Sequence, residues 1–101
     1  MQLIVDIDGT ICSEERQFSR PMATPKDNAI ESIAKLKAAG HTIILYSSRT
    51  WAEYEVTADW LERHGVEYDQ LILGKPVGDH WIDDRAIEFT SWTDVLARLG
   101  E

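Results

Sequence analysis

The sequence predicts an α/β domain in three layers, with a mostly parallel sheet between helices, and two observations carry that prediction. Short apolar runs alternate with stretches of helical period along the chain. Each apolar run also gives way at its carboxyl end to a polar cluster, and parallel strands deliver such clusters to one edge of a sheet. At 101 residues the chain fits a single domain, 1–101, with room for one core.

The first strand begins near Leu3 and leads through Ile4, Val5, Asp6, Ile7 and Asp8 to Gly9 and Thr10. Strand side chains alternate, so Asp6 and Asp8 share a face while Ile7 turns to the core. Two carboxylates this close repel unless a cation or a proton lies between them, which points to metal or acid/base chemistry. The polar segment 11–23 has no clear period and reads as a loop or flap beside that turn. Thr24 as N-cap, Pro25 at the first helical position and Asp27 in the first turn predict a helix to about Ala39, ended by Gly40.

Thr42 to Tyr46 is a continuous apolar run, predicted as a buried second strand, and it ends in Ser47, Ser48 and Arg49. Thr50 and Glu53 have the spacing of a capping box for a helix reaching His64, with Tyr54, Val56, Ala58 and Leu61 on its inner side. Tyr68 to Leu73 predicts a third strand, followed by Gly74, Lys75 and Pro76; the spaced glycines of a P-loop are missing. His80 to Ile82 predicts a brief fourth strand ending in Asp83, Asp84 and Arg85. Ser91 caps a last helix with Trp92, Val95, Leu96 and Leu99 inward.

Composition narrows the function. Apolar residues at 44% and charged residues at 28% are globular values. The net charge of −8, from 18 acids against 10 bases, repels phosphate backbones, so no nucleic-acid partner is expected. A single cysteine, Cys12, precludes an internal disulfide and suits a reducing cytoplasm; no apolar stretch is long enough to span a membrane. The donors gathered at the sheet edge are oxygens rather than thiols or spaced histidines, which favours magnesium over zinc. Carboxylates, a hydroxyl and a Lys together suit phosphoryl transfer: a nucleophile, a proton donor and cationic partners for phosphoryl oxygens.

Those clusters, taken in order, resemble the four motifs of the haloacid dehalogenase superfamily of phosphatases: Asp6 to Thr10, then Ser47, then Lys75, then Asp83 with Asp84. The resemblance implies a Rossmann-like domain with Asp6 as nucleophile, Asp8 as acid/base, and an aspartyl-phosphate intermediate. It implies magnesium held by Asp6, the Asp8 backbone carbonyl, Asp83 and Asp84, and a phosphoryl group bound by Ser47 and Lys75, with Gly9, Thr10, Ser48 and Arg49 beside them. The segments GTIC, GKP and WIDDR resemble small phosphatases of capsular polysaccharide or sugar phosphate metabolism. The stretches 11–46 and 48–74 each hold one helix with its connections, too little for a cap domain. The expected substrate is therefore a small phosphorylated metabolite, a sugar or polyol phosphate, and the expected enzyme is cytoplasmic. A macromolecular phosphate, or a non-catalytic phospho-receiver module, are the rival readings; the latter leaves Asp83 and Asp84 without a role. Four Trp residues also raise homo-oligomer formation as a hypothesis.

Overall fold

The computed structural model describes all residues 1–101. Three parallel strands, β1 (Gln2–Val5), β2 (Thr42–Tyr46) and β3 (Gln70–Ile72), form a sheet in the order β1-β2-β3, with Leu3 opposite Ile43 and Leu45 opposite Leu71. Three α-helices accompany it: α1 (Ala29–Ala38), α2 (Tyr54–Arg63) and α3 (Trp92–Leu99).

Strand alternation sorts side chains to two faces. Val5, Ile7, Ile43, Leu45, Leu71 and Leu73 join Ile33 and Leu36 of α1, Trp60 and Leu61 of α2, and Trp92 of α3 in one core. The expected helices on both faces are not found. Strands placed side by side in chain order and joined by right-handed crossovers carry every connecting helix to the same side. On the other face Ile4 is 67% exposed.

Three further expectations are corrected. The segment His80–Ile82 forms no strand, and Ile82 is fully in solvent; three residues offer too little pairing to fix a register. Thr24 and Pro25 do not start α1. The segment around them is bonded back to the flap, Ser13 N donating to Thr24 O at 2.7 Å and Lys26 N to Ile11 O at 2.8 Å, so the helix begins only after Asn28 turns left-handed at φ 63°. Thr50 caps no amide with its side chain, because a 3-10 turn over Trp51–Glu53 precedes α2; Tyr54 and Val56 are exposed, and Thr57 and Trp60 supply the buried side instead.

The caps that hold are those with local geometry alone. Ser91 Oγ accepts from Asp94 N at 3.1 Å to start α3. A left-handed Gly65 ends α2, where Val66 N reaches back to Leu61 O at 2.9 Å. The flap is folded rather than loose: a 3-10 turn over Gln17–Met22 lies against α2, pinned by the Arg20–Glu53 ion pair, by Trp60 Nε1 donating to Ala23 O at 3.0 Å and by Arg63 Nη2 donating to Pro21 O at 3.2 Å.

A candidate active site at the strand ends

β1 stops at Val5, and the chain carries Asp6 and Asp8 onward past the strand end, one on either side of Ile7, which joins the core. The turn after them is tied to Ile7, whose carbonyl accepts from Thr10 N, Ile11 N and Cys12 N at 3.1, 2.8 and 3.2 Å. Gly9 makes that turn at φ 81°, a conformation costly for any residue with a Cβ. Beyond β2 the ladder continues, Ser47 N donating to Ile72 O at 3.0 Å and Lys75 N to Ser47 O at 2.9 Å, so Lys75 is set beside the end of the central strand. Gly74 permits this approach: at φ 77°, a Cβ there would lie 3.0 Å from Trp51 Nε1.

These ends enclose a pocket of about 130 Å³ lined by Asp6, Asp8, Glu14, Ser48, Lys75, Pro76, Val77, Gly78 and Trp81. Lys75 Nζ lies 3.7 Å from Asp6 Oδ1, and 5.0 and 5.8 Å from the ring centres of Trp81 and Tyr46. Burial pushes the Asp6 carboxyl above the usual carboxylate range, against the pull of the Lys75 ammonium and the Ile7 amide. A larger surface depression of about 410 Å³ lies between the flap turn and α2, lined by Gln17, Phe18, Pro21, Ala52, Glu53 and Val56. Its one acid, Glu53, is spent on Arg20, so the chemistry sits in the smaller pocket.

The other residues singled out by sequence are distributed unevenly. Ser48 lines the pocket, whereas Ser47 is fully buried and accepts from Arg49 N at 3.1 Å; alternation turns the first serine toward the core side and the second toward the acids. Arg49 lies beneath the pocket, 3% exposed, rather than at its rim. Its Nε and Nη2 donate to Asp8 Oδ2 and Oδ1 at 3.0 and 2.8 Å, and its Nη1 to Thr57 Oγ1 at 3.0 Å. Burial works against this charge and Asp8 more than restores it, leaving the guanidinium held above its usual value. Thr10 serves through its backbone, accepting from Trp92 Nε1 at 2.8 Å.

Asp83 and Asp84 do not join the cluster. Asp83 caps Arg85 N at 2.9 Å, Asp84 is exposed beside Arg85, and neither lines the pocket. No three His, Cys, Asp or Glu side chains come together where they could hold a metal ion. Of the three pocket carboxylates, Asp8 is bonded to Arg49, and the Asp83–Asp84 pair stands outside, so the side chains as arranged form no metal cluster.

Sequence reasoning did not find Glu14 and Trp81 as pocket walls. Glu14 lay in a flap without period, and Trp81 in a strand that does not form.

No protein-family model matches the chain, and no curated protein does. Solved structures do. A crystal structure from Vibrio cholerae superposes with a TM-score of 0.72 at 30% identity, over 85% of this chain and 81% of that one. A D,D-heptose 1,7-bisphosphate phosphatase from B. bronchiseptica, complexed with magnesium and phosphate, matches 99% of this chain with a TM-score of 0.61 at 18% identity.

The fold is haloacid dehalogenase-like. The same fold accounts for the match to a Pnkp1/Rnl/Hen1 complex, with a TM-score of 0.64 at 21% identity over 82% of this chain. The chain spans 64% of the heptose bisphosphate phosphatase and 31% of the matched chain of that complex. In the haloacid dehalogenase-like frame, the pocket lies where the carboxyl ends of parallel strands meet, the usual ligand position in open α/β sheets.

Proposed function

We propose that this chain is a phosphomonoester hydrolase working through an aspartyl-phosphate intermediate. One observation carries the proposal: Asp6, Asp8 and Lys75 face one small pocket at the strand ends, with Lys75 paired to Asp6. An Asp6 oxygen attacks phosphorus as the ester bond to the leaving oxygen breaks, and Asp8 gives that oxygen its proton. Asp8, now ionised, takes a proton from a water that attacks the acyl phosphate, releasing inorganic phosphate and restoring Asp6. Lys75 offsets charge on the phosphoryl oxygens and counters the burial that disfavours an ionised Asp6.

A small sugar or polyol phosphate is the substrate we propose, acted on in the cytoplasm. A pocket of about 130 Å³ holds a phosphoryl group and little more, and Glu14 and Trp81 at its wall offer a hydroxyl acceptor and an apolar face. A magnesium requirement belongs to the same proposal. It is supported by the resemblance of the motifs and by the magnesium in the B. bronchiseptica phosphatase, and no step above depends on it. A macromolecular phosphate is the second reading, favoured by the likeness to the Pnkp1 complex and opposed by the charge of −8.

The test is phosphate release from sugar, polyol, nucleotide and peptide phosphates, with magnesium and with a chelator, by wild type and Asp6→Asn. The expected outcome is turnover of a sugar or polyol phosphate that chelation stops and Asp6→Asn lacks. Equal release by Asp6→Asn would sink the covalent route.

A further inference from the structure

We infer that Trp81 is a specificity-determining residue: its indole stacks against the leaving group and selects a phosphate carried on a sugar ring over one carried on an open-chain polyol. The inference deepens the phosphatase reading and rests on it for which bond breaks; the place of the indole beside the pocket rests on geometry alone. Trp81 lines the pocket of about 130 Å³ together with Asp6, Asp8 and Lys75. Lys75 Nζ stands 5.0 Å from its ring centre and 3.7 Å from Asp6 Oδ1. Whatever is joined to a phosphoryl group seated on Lys75 therefore leaves the pocket beside the indole.

The other tryptophans have structural partners. Trp60 and Trp92 are buried, with their Nε1 donors spent on the carbonyls of Ala23 and Thr10. Trp51 stacks on Tyr54, Trp60 on His64, and Trp92 meets Phe89 edge-on. Trp81 stacks on no ring of the chain, is 55% exposed, and lies in a stretch with neither helix nor strand. Single exposed apolar residues are ordinary on a surface; what sets Trp81 apart is that its ring walls the pocket that holds the charged groups. The C–H face of a sugar ring is flat and rigid, so it covers an indole broadly with few rotors to freeze. An open-chain polyol orders several rotors to make the same contact. Glu14, exposed at the same wall, accepts from hydroxyls at the edge of such a ring.

The decisive measurement compares hexose 6-phosphates (glucose, mannose, galactose) with their reduced, open-chain hexitol 6-phosphates. The ratio of kcat/KM within each pair is measured for wild type, Trp81→Phe and Trp81→Ala. Wild type is expected to favour the ring of its best pair by roughly three- to tenfold, the range of one aromatic stacking contact. Trp81→Phe is expected to keep most of that preference, and Trp81→Ala to bring the ratio near one. Both members of a pair use Lys75, so the ratio cancels any loss that comes from a displaced ammonium. A wild-type ratio near one overturns the inference, as does a preference that survives Trp81→Ala. So does a Trp81-dependent preference for a nucleoside monophosphate, or turnover confined to phosphates without a sugar ring.

A binding measurement separates this inference from the phosphatase reading. In an Asp6→Asn background, which is not expected to consume the ester, the Trp81 share of the fluorescence is the difference between that protein and its Trp81→Phe counterpart. Millimolar hexose 6-phosphate is expected to shield that share from acrylamide quenching, and inorganic phosphate to leave it open. No shielding by any hexose 6-phosphate, or equal shielding by inorganic phosphate, overturns the ring stack. Shielding by the sugar phosphate, with no wild-type turnover of any phosphate, would instead support the stack and remove the phosphatase reading.

Discussion

Cys12 shows how one residue can sit at a reactive site and be inert. Its Sγ is fully buried, 4.0 Å from Asp8 Oδ1 and 3.9 Å from Arg49 Nη2. Burial, with the Asp8 charge adding to it and Arg49 opposing it, pushes the thiol up to about 11. Relative to an ordinary cysteine, that leaves about 10²-fold less thiolate at pH 8. An aromatic disulfide reagent is therefore expected to label the native protein at least that much more slowly than the urea-unfolded chain. Equal rates would show the turn at 8–12 to be open. At this scale Asp6, Asp8 and Lys75 were legible in the sequence, since strand parity and parallel geometry decide where residues at strand ends go. The burial of Arg49 was not. Arginine is a surface residue by default, and Asp8, which draws it inward, lies 41 residues away along the chain, so nothing local signals the pair.

Among the elements, legibility followed how much of each depended on its own sequence. β2 appears with the bounds its apolar run implied, Thr42–Tyr46. The start of α1 does not, because the pairing of residues 24–26 with 11–13 claims the backbone that the Thr24–Pro25 signal would have used. A long-range bond of this kind also joins α1 to the sheet. Asp69 accepts from Lys37 Nζ at 2.7 Å and from Ile43 N at 2.8 Å, which holds its carboxyl below the usual range. A carboxylate whose folded value is lowered stabilises the fold above the unfolded value, near pH 4, and loses that contribution as pH falls through the folded value. Denaturant titrations should accordingly show Asp69→Asn less stable than wild type at pH 7, with the gap closing as pH falls from the unfolded value through the lowered folded one. A gap independent of pH would assign the effect to packing instead.

For the whole molecule, alternation of strand and helix was enough to identify an α/β fold. It did not decide the side on which each helix falls, which depends on strand order, and strand order leaves no mark on a single sequence. Net charge is the property of the whole chain that reaches furthest into function. At −8, single-stranded or duplex oligonucleotides are expected to bind no better than about 10⁻⁴ M near 0.1 M salt, despite the likeness to an RNA repair complex. A gel shift at micromolar protein would reverse that and favour the macromolecular substrate.

The turn over Gln17–Met22, bonded to α2 through Arg20, Pro21 and Ala23, has a kinetic consequence. A lid must break its resting contacts each time it opens, and in many enzymes that opening limits turnover. Here three contacts keep the flap in register with the helix that also carries Thr57. For the proposed phosphatase, substrate entry on that side is expected to need no gating step, the cost of ordering the flap being met during folding rather than at each encounter.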